Sequence, residues 1–364
     1  MKKLIYILVL LCCVFIQAQN ESRFSSIETD FFIGKPIEHD KKLKNAIQGA
    51  ATGFFISWNK INPQNSLFNN LYNFPERGYT FLYQNYNSDI LGESYGVYRH
   101  FKYNLTPSKL FKLKLTTAFG LGYATKSYDP INNNQNFAHG SKLLVTAFLK
   151  LQYQKFLENK NINFNTGVSL IHFSNISFKN PNLGLNTLAF NLGLTYKLKA
   201  VSIQKNTVLK NHKITQPLKL NIVLRGGYNE SLIIGSGLYP FYTVTVYGSK
   251  KLNNYSVITS GIDYFHSLFL KNYIKNINIE ENKNINENNF DRMGVFIGHE
   301  LTQNNFAFVS QLGYTFYYPY PYVSRIYERF GFKYNLSKHW FSEITMKVNL
   351  FRAEGLEIGM GYRF

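Results

Sequence analysis

Apolar and polar residues alternate with a period of two through most of the chain. Across 143–153, Leu143, Val145, Ala147, Leu149, Leu151 and Tyr153 share one face, while Thr146, Lys150 and Gln152 share the other. Around 111–123, Phe111, Leu113, Leu115, Phe119 and Leu121 stand against Lys112, Lys114 and Thr116; around 340–350, Ile344, Met346, Val348 and Leu350 stand against Glu343, Thr345, Lys347 and Asn349. A soluble sandwich gives the same alternation in strands of about five or six residues. These runs extend over roughly ten to thirteen, the length of a tilted strand crossing hydrocarbon. The pattern predicts strands at 30–38, 48–58, 77–86, 91–103, 110–124, 142–156, 162–174, 185–199, 217–228, 239–250, 254–269, 290–301, 304–317, 323–335, 340–351 and 355–364. The fold class is therefore all-β, a transmembrane antiparallel β-barrel of about 14–16 strands, the number being even because both termini lie on one side. Neither a linker nor a domain boundary stands out, so residues 20–364 read as a single β-barrel domain.

The N-terminus changes the compartment. Lys2 and Lys3 precede an apolar run from Leu4 to Ile16, and Ala18 and Gln19 offer a cleavage site, so 1–19 reads as a secretory signal peptide. A lipoprotein would use Cys12 or Cys13, but Leu11 stands where a small residue is required. Both cysteines lie in this segment, which leaves the mature chain without thiol or disulfide chemistry. The 32 Phe and 27 Tyr, together with a mean hydropathy of −0.21, fit a barrel with one lipid-facing and one polar face. The net charge is +19. Secretion argues against nucleic acid as the partner, which leaves anionic lipid headgroups or a basic lumen to account for the surplus.

The last run, LEIGMGYRF, ends on an aromatic and resembles the C-terminal signal of bacterial outer-membrane proteins. That sets the C-terminus in the periplasm. The turns at 252–254, 302–305 and 335–340 then fall inside and are short, whereas 125–141 and the Asn-rich 271–289 fall outside and are long. The long basic segment 200–216 breaks this rule, because the count places it inside.

Chemistry concentrates at IHFSN, 171–175. On the strand 162–174 the even positions are apolar up to His172 and Ser174, while Asn161, Asn163, Asn165 and Ser169 occupy the odd set. His172 and Ser174 thus continue the lipid face at the outer end of the strand, where polar groups are costly unless used. On 186–198 the face of Leu188, Phe190, Leu192 and Leu194 begins with Asn186. If the strands pair as a hairpin, the three polar groups meet: His172 can take the proton of Ser174, and Asn186 can hold the imidazole. No acid occurs between Glu158 and Glu230, so the nearest outer-loop carboxylate is Asp129. A serine-elbow motif and metal-ligand spacing are both missing from the sequence.

The stretch HFSNISFKNPNLGLN, 172–186, resembles the His-x-Ser-Asn motif of the bacterial lipid A 3-O-deacylases, or outer-membrane acyloxyacyl hydrolases. Their following Pro-Asn-x-Gly element is matched by Pro181, Asn182 and Gly184, and residues 71–98 resemble the region before the site. The resemblance implies an outer-membrane esterase acting on lipid A of lipopolysaccharide without a cofactor. It implies Ser174 as nucleophile, His172 as base, and Asn175 and Asn182 as oxyanion candidates. Lys179, in the same loop, is a candidate for a lipid A phosphate. The family usually carries glutamate where this chain has Asn186. Outer-membrane phospholipase A has a similar motif with an asparagine orienter, and that alternative implies calcium. A non-catalytic porin or surface-binding barrel, using 271–289 and the aromatic run 314–323, is the third reading.

Overall fold

The structure is a computed structural model and describes residues 25–62, 69–70, 72–106, 111–157, 161–198, 216–350 and 352–364. The signal peptide with Cys12 and Cys13, and nearly all of 200–216, lie outside the described residues. Sixteen strands form where the alternation places them: β1 (Ser26–Pro36), β2 (Ala51–Ile61), β3 (Glu76–Asn85), β4 (Glu93–Asn104), β5 (Phe111–Ala124), β6 (Leu143–Phe156), β7 (Ile162–Ser174), β8 (Leu185–Lys197), β9 (Lys219–Glu230), β10 (Leu238–Lys251), β11 (Ser256–Ser267), β12 (Asp291–Gln303), β13 (Phe306–Tyr317), β14 (Ile326–Asn335), β15 (Trp340–Asn349) and β16 (Arg352–Arg363). All pairings between them are antiparallel neighbours, joined by turns as short as Asn304–Asn305.

The strands close as two rings of eight. β8 folds back onto β1, in register from Ser26↔Lys197 to Pro36↔Thr187. β16 closes on β9, from Ile358↔Gly226 to Arg363↔Asn221. This corrects the expectation of a single barrel over 20–364. Period-two alternation assigns the faces of each strand but says nothing about which strand satisfies its edge. Eight strands enclose a space that side chains can just fill, whereas sixteen leave an aqueous channel. The inward positions here carry bulky packing groups, which suit the smaller ring. The boundary falls between Lys197 and Lys219, where 200–216 broke the turn rule.

Both lumens are filled. In the first, Glu28 bonds Lys102 at 2.7 Å and Lys150 at 2.8 Å, Asp30 bonds Lys150 at 2.5 Å, and Glu76 bonds Lys114 at 2.6 Å. Toward the outer end the polar layer gives way to Phe32, Phe55, Tyr98, Phe148 and Phe173, all buried. In the second, Arg329 bridges Asp263 at 2.9 Å and Glu357 at 2.6 Å, Arg225 bonds Glu343 at 2.6 Å, and Lys333 bonds Glu300 at 2.7 Å. The cations of both lumens are thus neutralised in pairs, so the net positive charge resides outside them. The outward faces carry exposed Leu, Ile, Phe and Tyr in long rows, as a lipid-facing wall requires. The walls touch through Phe119 and Phe332, whose rings lie 6.3 Å apart.

The expected outer loops gather at one end. The first barrel is roofed by loops 37–50, 86–92, 125–142 and 175–184, sealed around Leu43, Ala46, Tyr86, Leu91, Ala138 and Leu185. The Asn-rich 271–289 differs from a plain loop, because α1 (Leu268–Glu280) runs into it. Its buried Phe269, Leu270, Ile274 and Ile277 recur at helical spacing, and the first three pack with Phe241 and Phe290. Asn-rich composition masked that spacing. Tyr320 and Tyr322, of the aromatic run 314–323, pack against the same cluster.

Candidate active site on the lipid-facing wall

β7 and β8 pair so that His172 stands directly opposite Asn186. Ile171 and Phe173 point inward into the apolar core, which turns His172 and Ser174 outward as the parity predicts. His172 Nδ1 lies 2.8 Å from Asn186 Oδ1. An amide oxygen only accepts, so Nδ1 carries the proton and donates. The other ring nitrogen, Nε2, is then unprotonated and available as a base. The backbone oxygen of Asn186 also accepts from Ile37 N–H at 2.8 Å, which fixes the first outer loop beside the pair.

Ser174 sits under the loop 175–184. Its Oγ accepts from Ile176 N–H at 3.2 Å and from Asn182 Nδ2 at 3.3 Å. Among the described residues no hydrogen bond joins Ser174 to His172. They meet instead at Gly184. A Cβ on that residue would lie 3.1 Å from His172 Cε1 and 3.3 Å from Ser174 Cβ, and its φ of +69° is a left-handed value that glycine accepts freely. The glycine of the Pro-Asn-x-Gly element therefore lets the backbone lie against both reactive side chains.

The two oxyanion candidates divide. Asn182 faces Ser174, and its Oδ1 accepts from Asn175 N–H at 2.9 Å. Asn175 braces the loop instead, with Nδ2 donating to Lys179 O at 2.6 Å. The backbone N–H of Ile176, not the Asn175 side chain, is the second donor to Ser174 Oγ. Motif reading missed it, because a main-chain donor has no side-chain signature. Ile176 and Ser177 are both left-handed, at φ 54° and 62°, a turn that costs roughly 1–3 kcal/mol per non-glycine residue and is common at functional sites. Lys179 is exposed in the loop. Asp129 is no orienter. Its Oδ1 accepts from the N–H groups of Ile131 and Asn132, which close its own turn and hold its carboxyl below the usual range.

Two further features were not apparent from sequence. His139, in the outer loop 125–142, is fully buried, with neither ring nitrogen hydrogen-bonded, and burial pushes its pKa down to about 3. Below the His172–Asn186 pair an apolar groove of about 860 Å³ runs along the outer wall, lined by Ile33, Ile47, Val168, Leu188 and Phe190, with Lys35 beside it. Leu188 and Phe190 follow Asn186 on the same face of β8, so the groove lies on the same outward wall as the His172–Asn186 pair.

The sequence model "Lipid A 3-O-deacylase (PagL)" matches residues 52–195, and "Acyloxyacyl hydrolase, C-terminal domain" matches residues 218–364. The two matches divide where the two barrels divide. Among solved structures, similar ones include the outer membrane enzyme PagL, at 18% identity over 47% of this chain and 99% of that one, with a TM-score of 0.34. Another is the P. putida toluene transporter TodX, at 9% identity over 94% and 90% of the two chains, with a TM-score of 0.20. No curated protein sequence gives a match. Its two matched segments place the chain in the lipid A 3-O-deacylase family of outer-membrane acyloxyacyl hydrolases.

Proposed function

We propose that this outer-membrane hydrolase removes an ester-linked acyl chain from lipid A at a Ser174–His172–Asn186 site. The carrying observation is the outward His172–Asn186 bond, with an apolar groove on the same wall that includes Leu188, two residues along β8 from Asn186. The acyl chain lies in the groove, with its ester carbonyl carbon beside Ser174. Ser174 Oγ attacks that carbon while His172 Nε2 takes the hydroxyl proton. Asn186 keeps the ring proton on Nδ1 and the ring in place. The developing oxyanion is received by Asn182 Nδ2 and Ile176 N–H, both already aimed at the serine. Collapse expels the sugar oxygen, which takes the proton from His172. Water, deprotonated by the same imidazole, then releases the fatty acid and regenerates Ser174. Lys179, exposed in the roof, is free to meet a phosphate of the headgroup.

Mass spectrometry of lipid A from cells carrying the intact chain or Ser174→Ala tests this reading. Loss of one acyl chain with the intact protein only is the expected result. Identical patterns in both would refute it. The asparagine orienter favours phospholipase A as a second reading, and lysophospholipid formed only with calcium would select it.

A further inference from the structure

The second barrel reaches the site loop directly. Ser177 Oγ donates to Ala353 O at 2.6 Å, and Ser177 O accepts from Glu230 N–H at 3.1 Å. Asn180 N–H donates to Glu230 Oε2, while its Nδ2 donates to Glu230 O at 3.3 Å and Ser231 O at 2.6 Å. Glu230 and Ala353 belong to β9 and β16, the strands that close the second barrel. Their anchors, Ser177 and Asn180, lie between Ser174 and Asn182.

We propose that the second barrel is a positioning element of the active site, with Glu230 and Asn180 as its positioning residues. Three observations support this beyond proximity. The left-handed turn at Ile176 and Ser177 persists only if its surroundings hold it, and both bonded polar groups of Ser177 are held by the second barrel. That turn aims Ile176 N–H at Ser174 Oγ. Glu230 is itself nearly buried, at 5% exposure, and its carboxylate is met by backbone N–H groups, those of Asn180 and Gly237. A buried carboxylate is costly unless its hydrogen bonds are met, so leaving either end of this contact unmatched destabilises both. Finally, Asn180 is two residues from Asn182, so a displaced Asn180 moves the side-chain donor as well.

The catalytic part of this inference rests on the deacylase reading; the tether itself does not. The test uses the full chain, folded in detergent, as wild type, Glu230→Ala, Glu230→Gln and Asn180→Ala. Hydrogen exchange over 175–184 reports the tether, and kcat and KM for acyl release from purified lipid A report positioning. Glu230→Ala is expected to speed loop exchange and lower kcat by about ten- to a hundredfold with KM little changed, the effect of a small displacement at the reacting centre. Glu230→Gln keeps one acceptor oxygen for Asn180 N–H and should recover most of the rate, which a general loss of stability would not predict. Asn180→Ala leaves the second barrel intact and should reproduce part of the defect. Unchanged exchange in Glu230→Ala and Asn180→Ala overturns the tether. Faster exchange with unchanged kcat overturns its positioning role. Faster exchange beside a wild type inactive on lipid A supports the tether and refutes the deacylase reading alone.

Discussion

At the residue scale the proposed site turns on a single amide. A carboxylate in the place of Asn186 would both orient His172 and stabilise the imidazolium formed on proton transfer, whereas an amide does only the first. The bond of 2.8 Å from Nδ1 to Oδ1 nonetheless selects the tautomer that the proposed mechanism uses. Asn186→Glu is therefore expected to raise kcat, and Asn186→Leu to lower it by roughly 10²-fold or more, the usual share of general-base catalysis. Initial rates of acyl release check both, and an unaltered rate in Asn186→Leu would remove that residue from the mechanism. Parity made the outward pairing of His172 with Asn186 legible in the sequence, since the inward Asn163, Asn165 and Ser169 force His172 to face out. The contacts of Asn175 and Ile176 were not legible. They depend on how one loop turns, and that turn is made by backbone angles and contacts outside the motif.

At the element scale, strands could be read locally and roofs could not. β7 runs over Ile162–Ser174, as the alternation predicts, because each strand declares its own two faces. The roof of the first barrel is built from four loops distant in sequence, and one of them, 125–142, buries His139 with neither ring nitrogen hydrogen-bonded. Burial keeps that ring neutral when folded, with a pKa of about 3, whereas an exposed histidine titrates near about 6.5. The stability this contributes is fully present above about pH 6.5. It falls away as the pH drops toward 3, since the opened loop binds a proton that the closed loop refuses. The neighbouring His172 adds like-charge repulsion when protonated, in the same direction. Exchange over 125–142, corrected for intrinsic rates, should accelerate between pH 7 and pH 4 in the intact chain and lose most of that dependence in His139→Phe. Equal profiles for the two would remove His139 as the titrating group.

At the scale of the whole molecule, sixteen strands are consistent with one large ring or two small ones, and local alternation cannot separate them. What separates them is the volume their inward side chains fill, together with the misplaced basic stretch after β8. Two rings mean two lumens, each with its own buried ion network. Removing one member of such a network leaves a buried charge without its partner, a loss of about 3–5 kcal/mol, while the pair itself stabilises little over an apolar substitute. Arg329 serves both Asp263 and Glu357, so Arg329→Met should destabilise the second barrel by about that amount. The first barrel has a separate charge cluster around Glu28 and should hold. The chain carries one tryptophan in each ring, Trp58 on β2 and Trp340 on β15. Urea unfolding followed in Trp58→Phe and Trp340→Phe backgrounds reads the barrels separately. Arg329→Met should lower the midpoint reported by Trp340 and leave that reported by Trp58 within error, apart from what the tether through Glu230 transmits. Equal shifts of both midpoints would mean that the two rings unfold as one cooperative unit, and that the contact at the site loop couples them throughout.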